Sequence, residues 1–531
     1  MPALPGRPFV ASLDSDETQS QIDTWCRGMM HASEGVATRG WQNIRMFVGA
    51  PITHDSVWNG AAQIVPQALS LATIPLLIRG LGVTAYGVWA LVTTLLVIGA
   101  TLDGGISATA QRYYRLYISQ ADALLTNKLT TSLLALVVSL TALLCLLGPV
   151  IAHLVLSVVH VPDMLYGQAA RILAFVGILV GLLLISNIYV GYLRAVGKFR
   201  HVAGCVAAAN LFFLVAVICG GPSLSLRYVF VLSLVEYGIL DTLLIALSWP
   251  NSWQPRVGLL PKCQARELWA YSWRAQVTNL SVLVILQTDL LFVAALLPIE
   301  QLGYLAVGAQ IANAARSLPL FVLAPLLSRL TNEFGTDGYS ATTTLAARLN
   351  RIWTPYVASY GAIACAAIGF GVRAWVGEYP LAIVAAVILT VGNVFNILSG
   401  VASVYCRAIG QPGSEAKYGL ALVVGNLALS WPCTWLWGIT GAVGSTALVQ
   451  LLAALYFLGV LRNRFALFSQ SFARPHLRRA ACLCGLTFCS ELASFAGSPG
   501  SALAVIIAVA AGAVPLMLTI GFAVRETRGL A

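Results

Sequence analysis

The chain has 531 residues, 58% of them hydrophobic and only 10% charged, with a mean hydropathy of +0.82. A soluble domain carries about 25% charged residues, so the composition excludes a soluble globular protein and describes a polytopic membrane protein. The net charge of +11 does not point to nucleic acid, because its distribution follows membrane topology, as traced below.

Eleven cysteines lie mostly singly within apolar runs and make neither a disulfide framework nor a zinc set. Even Cys482, Cys484 and Cys489 share one apolar run without histidine. The six histidines are scattered, and no His/Glu pair has metal-ligand spacing. No metal or cofactor is implied.

Residues 1–55 are polar, with Asp14, Asp16, Glu17, Asp23 and Glu34 among Ser, Thr and Gln. They contain no apolar core of a signal peptide and read as a cytoplasmic, disordered tail. Apolar runs then recur at about 56–78, 86–110, 129–152, 168–192, 202–220, 228–248, 275–297, 302–327, 352–372, 380–404, 417–436, 438–461, 479–496 and 502–524. Each approaches the roughly 20 residues of a spanning helix, which predicts an all-α membrane protein of about 14 transmembrane helices.

Early in this series, Gly80–Arg115 stands out. A Gly80-Leu81-Gly82 connection leads into one apolar helix over about Tyr86–Ala110, with Asp103-Gly104-Gly105 inside it and Arg112, Tyr113, Tyr114, Arg115 and Tyr117 after it. Asp103 lies about 25 Å along that helix, at 1.5 Å per residue. A carboxylate within the membrane faces a protein interior or a wet cavity; near the interface, helix-end amides could also satisfy it.

Lysine and arginine set the orientation. With the N-terminus inside, 26 of the 31 basic residues fall in the inner segments. Only Arg79, Arg227 and Arg373 fall in outer connections, and Arg171 and Arg316 fall within spans. This asymmetry predicts cytoplasmic termini and an even number of spans.

The chain also repeats itself. Tyr192-Leu193-Arg194-Ala195-Val196-Gly197 matches Tyr405-Cys406-Arg407-Ala408-Ile409-Gly410 at an offset of 213, and Asn210-Leu211 matches Asn426-Leu427 at 216. Ala85-Tyr86-Gly87 roughly matches Leu302-Gly303-Tyr304 near 217. Six spans separate the copies, so both point the same way, which predicts two parallel-repeat six-helix lobes with a site between them. The expected division is a tail over 1–55, an N-lobe over 56–248 and a cytoplasmic linker over 249–274. A C-lobe over 275–461 follows, and then 462–531 with a linker and two extra helices. Arg194 and Arg407 read either as headgroup or gate contacts or, more simply, as helix-end anchors followed by a terminating glycine.

The Gly82–Gly87 turn, the Asp103-Gly104-Gly105 helix followed by Arg112, the Arg-Ala-Val-Gly repeat and Asp289 in the seventh span together resemble the polysaccharide-export flippases. These belong to the multidrug/oligosaccharidyl-lipid/polysaccharide superfamily, and the resemblance covers about 56–461; the long N-terminal tail departs from the usual pattern. It implies a cleft lined by spans 1, 2, 7 and 8. It also implies, as substrate, a polyprenyl-diphosphate-linked oligosaccharide of the O-antigen, capsule or exopolysaccharide type. The unit would move from the inner to the outer leaflet of a bacterial inner membrane, with membrane lipids, a polysaccharide polymerase and chain-length proteins as partners.

The residue chemistry provides candidates for such a substrate. Asn59, Gln63 and Gln67 occupy an arc of about 80° on the first span. Gln310, Asn313, Arg316 and Ser317 share a broad face of the eighth span, and Gln276, Asn279 and Gln287 a face of the seventh. Such stripes can line a cleft or bond helices together. Arg316 is the candidate diphosphate ligand, because a guanidinium matches phosphate oxygens in pairs; by depth it is expected to rest against Asp103 or Asp241. Arg112 and Arg115 are alternative cations. Asp103 and Asp289 are the candidates for coupling a proton or sodium gradient, with structural pairing to an arginine as the other reading; Glu236 and Asp241 are further intramembrane acids.

Two rival activities frame this reading. A cation-coupled multidrug antiporter would share the fold, but no acidic residue stands in the first span, where such antiporters often place one. A polysaccharide polymerase or ligase would present a large outer loop. The outer connections here are short and offer only His153, His160 and Asp163, so the chain reads as a transporter and not an enzyme.

Overall fold

The computed structural model describes residues 54–101, 106–120, 122–221, 224–248, 258–375, 379–411 and 413–465. The expected N-terminal tail up to residue 53, Asp103 and the expected spans at 479–496 and 502–524 lie outside the described residues. Among the described residues every regular element is a helix. They are α1 (His54–Leu81), α2 (Val83–Thr101), α3 (Ile106–Ser119), α4 (Ala123–Val158), α5 (Asp163–Ala195) and α6 (Phe199–Gly220). The second half adds α7 (Leu226–Ser248), α8 (Lys262–Leu296), α9 (Ile299–Trp375), α10 (Pro380–Leu398), α11 (Gly400–Ala408) and α12 (Gly413–Phe465).

Eight helical stretches among the described residues are long and apolar enough to cross a membrane. Helices run beyond the apolar limits read from sequence. The expected 129–152 span lies within the longer α4, whose start Asp122 caps by accepting from the Leu125 N–H at 2.8 Å. Helix α3 continues past Ala110 through the basic, tyrosine-rich segment, burying Tyr113, Tyr114 and Tyr117 while Arg115 stays exposed. Two pairs of expected spans are joined without a loop: the arms of α9 meet at Gly338 (φ 74°) and those of α12 at Gly438 (φ 60°). The left-handed backbone at these glycines turns the chain where an L side chain would be strained.

The exterior is apolar where a soluble protein would be polar. Leu146 is 76% exposed and Trp435 72%. Water would penalise such surfaces and lipid covers them, which accounts for helices that are hydrophobic on every side.

One apolar core threads α2 to α7 and takes in Val293 of α8, Leu302 and Leu305 of α9 and Ala382 to Ala386 of α10. A second is built around Leu330, Trp353, Tyr405 and Phe457. Each contains a buried tyrosine that must bond its hydroxyl. Tyr114 pairs with Thr130 at 2.8 Å and packs edge-on against Tyr192, with ring centres 5.3 Å apart. Tyr405 pairs with Thr343 at 3.0 Å. Thr130 and Thr343, like Tyr192 and Tyr405, are related by the 213-residue offset.

The repeat itself is a helix stop. The N–H groups of Val196, Gly197 and Lys198 donate to the carbonyls of Tyr192, Arg194 and Leu193. Those of Ile409, Gly410 and Gln411 donate in the same pattern to Tyr405, Arg407 and Cys406. Both glycines have positive φ, 84° and 69°, which is the αL turn that closes a helix C-terminus. Arg407 then makes a two-pronged ion pair with Glu415. The simpler of the two sequence readings therefore accounts for the geometry at this arginine.

Candidate functional site

Polar contacts lie where the two halves of the chain meet and within each half. The α1–α2 turn lies against the α8–α9 turn. There the Thr84 hydroxyl donates to Glu300 at 2.8 Å. A Cβ at Gly87 would stand 2.1 Å from the Ile299 carbonyl oxygen, so only glycine permits this approach. Farther along, the Ser317 hydroxyl of α9 donates to the Gln67 side chain of α1 at 2.6 Å.

Segment 310–317 of α9 carries the predicted cation and its neighbours. Pro319 has no N–H to give the Ala315 carbonyl one turn back; the Tyr360 hydroxyl takes that place at 2.5 Å. Asn393 of α10 donates to the Ala312 carbonyl at 3.3 Å. These bonds hold the segment that presents Arg316. The Arg316 Nε is buried without a hydrogen-bond partner, and no described carboxylate pairs with it. Tyr418 of α12 is the described ionisable group within electrostatic reach. Asn396 and Ser399 donate to the Tyr418 hydroxyl, and Phe457 stacks on its ring.

This corrects the expected resting partner. Asp241 does not pair with Arg316: it lies on α7 against α5, where it accepts from the Ser186 hydroxyl at 2.6 Å. Depth along a helix had matched the two residues, but the helix faces differ. Asp103, the other candidate partner, is outside the described residues.

Asp289 of α8 faces α12. Its Oδ1 accepts from Thr446 at 2.8 Å and from Ser430 at 3.2 Å. Ser430 Oγ also stands 2.7 Å from Asn426 Oδ1 and 3.1 Å from Ser445 Oγ. Thr446 donates to Asp289, Asn426 Nδ2 donates to Thr446 Oγ1 at 3.0 Å, and Ser445 donates to the Ala442 carbonyl at 2.8 Å, so Ser430 shares its one proton among the Asp289, Asn426 and Ser445 oxygens. All five residues are buried. A buried cluster this rich in oxygen around a carboxylate suits a hard cation, whose water shell such oxygens can replace. Beside it lies a cavity of about 20 Å³ bordered by Asn313, Asn393, Thr446 and Gln450, enough for one water.

Of the other predicted residues, Asn313 borders that cavity and Gln67 bonds to Ser317. Gln310 and Arg115 are exposed. The side chains of Asn59, Gln63 and Arg112, and of Gln276 and Asn279, lie outside the described residues. Sequence reasoning missed Asn426, Ser430, Ser445 and Thr446. The one pointer was Asn426, flagged as half of the Asn-Leu repeat.

A solved structure of the lipid II flippase MurJ in an inward closed conformation is similar to this chain, with a TM-score of 0.69 and 12% identity over 88% of this chain and 99% of that one. The chain has the fold of the MOP superfamily. An inward-facing multidrug resistance MATE family transporter of that superfamily has a TM-score of 0.61 and 12% identity over 77% of this chain and 98% of its own. The MATE multidrug transporter DinF-BH in complex with R6G follows at 0.57 and 9%, over 78% and 96%. These MOP neighbours are transporters and flippases, not enzymes. No protein-family model matches the sequence, and no curated protein matches it.

Proposed function

We propose that this MOP-fold protein is an alternating-access flippase for a polyprenyl-diphosphate-linked oligosaccharide, working in a bacterial inner membrane with both termini cytoplasmic. Arg316 carries the reading. A guanidinium whose Nε is buried and unpartnered, without a described carboxylate against it, is a cation kept available for an anion brought in from outside the protein. A diphosphate supplies paired oxygens for that fork. Amides such as Asn313 offer hydrogen bonds to sugar hydroxyls, and the lipid tail stays in the bilayer that covers the apolar exterior.

On this reading the lobes are 56–248 and 275–461, and the substrate lies between them. The Thr84–Glu300 and Gly87–Ile299 contacts close the outer side and part to release the glycan. The oxygen cluster around Asp289 holds a transported monovalent cation whose binding biases one lobe arrangement. Asp103 is a second candidate for coupling. A polymerase and chain-length proteins would consume the delivered units.

The similarity to multidrug transporters supports a second reading, cation-coupled export of organic cations. A vesicle assay separates the two. Reconstituted protein should expose a fluorescent polyprenyl-diphosphate oligosaccharide to a reagent in the opposite compartment, faster with a sodium or proton gradient. No exposure, together with gradient-driven efflux of a lipophilic dye cation, would replace the flippase by the antiporter.

A further inference from the structure

We propose that Asp241 is a proton-binding site in the first half of the chain, separate from the cation cluster at Asp289. The two buried aspartates differ in what surrounds them. Asp289 meets two hydroxyls directly, with an amide oxygen and a third hydroxyl just behind. Asp241, 6% exposed, has Ser186 as its one described hydrogen-bond partner, while its Oδ2 is buried with none. Ser186 stands between Leu184 and Ile188, both fully buried on α5, and Leu244 is fully buried one turn along α7.

A hard cation takes about six oxygens, and this donor set supplies too few of them. A proton needs only one. It is held on Oδ2, while Oδ1 goes on accepting from Ser186, so binding it leaves the α5–α7 bond intact. Losing it leaves a buried charge with a single donor, which costs several kcal/mol unless another group arrives. Release of the proton is therefore tied to movement of α7 against α5.

The ionisable groups on the packed helices leave this site to Asp241. Tyr189 of α5 is within its electrostatic reach. Arg194 stands about two turns from Ser186 along α5, Cys205 is a buried thiol of α6, Tyr86 is a buried phenol of α2, and Glu236 and Tyr237 lie on α7 itself. No described lysine, arginine or histidine forms an ion pair with Asp241.

The test is infrared difference spectroscopy of the full-length protein in nanodiscs, titrated from acidic to alkaline pH. The expected result is a carbonyl stretch of a protonated carboxyl group that is lost in Asp241→Asn and retained in Asp289→Asn. In Ser186→Ala it should move to higher frequency, because the hydrogen bond to that carboxyl is gone. Should Asp241→Asn fail to fold, Asp241→Glu should displace the band without abolishing it. A titrating band unchanged in every Asp241 variant, or one that vanishes in Asp289→Asn instead, overturns the proposal; so does the absence of any protonated-carboxyl band.

Discussion

The Thr84 hydroxyl and the Glu300 carboxylate, 2.8 Å apart, join positions separated by 216 residues. That is the offset relating Asn210-Leu211 to Asn426-Leu427 and Gly87 to Gly303. Repeat-equivalent positions thus meet each other, as in an isologous contact about a local two-fold axis. A Cβ at Gly303 would stand 3.0 Å from the Val83 carbonyl, and one at Gly87 2.1 Å from that of Ile299. The bulk therefore falls harder on Gly87. We expect Gly87→Val to cost about 1–3 kcal/mol in this contact and to part the two turns. Spin labels on Leu81 and Gln301 should report a longer distance; Glu300→Ala should lengthen it less, and Glu300→Gln, which keeps an acceptor, least. An unchanged distance in Gly87→Val would show that the contact does not hold the turns together.

Binding at the Asp289 cluster should stabilise the folded protein. A cation at tenfold its Kd adds about 1.4 kcal/mol, the logarithmic gain of a site that exists only in the folded state. The Tm in detergent should therefore rise with sodium or another monovalent cation and not with an equal concentration of a bulky organic one. Asp289→Asn should abolish the rise, and Thr446→Ala should weaken it. A rise that survives Asp289→Asn would place the cation elsewhere.

Arg316→Lys should insert normally yet lose about tenfold or more of the flipping rate, because charge remains while the paired donors are lost. Arg316→Ala should lose at least as much. Since Asp241 is bonded to Ser186, Arg316→Ala combined with Asp241→Ala should not recover activity. Recovery on adding Asp103→Ala would show Arg316 to be half of a structural pair, and the phosphate cation would then be sought at Arg112 or Arg115.

Reporter fusions test the orientation. Those placed after Val161, Ile299 and Glu378 should report the outer compartment, and those after Lys198, Arg266 and Glu415 the cytoplasm. A cytoplasmic signal after Ile299 would break the two-lobe arrangement.

The glycine at each repeated stop provides a separate check on stability. Gly197→Ala and Gly410→Ala place a Cβ in the left-handed region and should each cost about 1–2 kcal/mol. Matching losses in thermal midpoint are expected, since the two stops share one bonding pattern. A neutral effect at either site would mean that its turn does not constrain the fold.

Sequence by itself determined the class of this protein and the approximate positions of the described helices, though not their full lengths. Lipid demands that each spanning segment satisfy its own backbone, so an apolar run such as 168–192 can only be a helix, and α5 covers it. It also determined the two helix stops, because an αL turn needs a glycine at one position. Partners across helices were decided by tertiary structure alone. In water, an apolar stripe shows which face of a helix is buried; in lipid both faces are apolar, and that contrast is lost. Asp289 and Arg316 were therefore legible as costly residues, but not the hydroxyls 141 and 157 residues away that meet Asp289, nor the serine that takes Asp241 from Arg316. Those pairings depend on helix rotation, which only the packing of α5, α7, α8 and α12 selects.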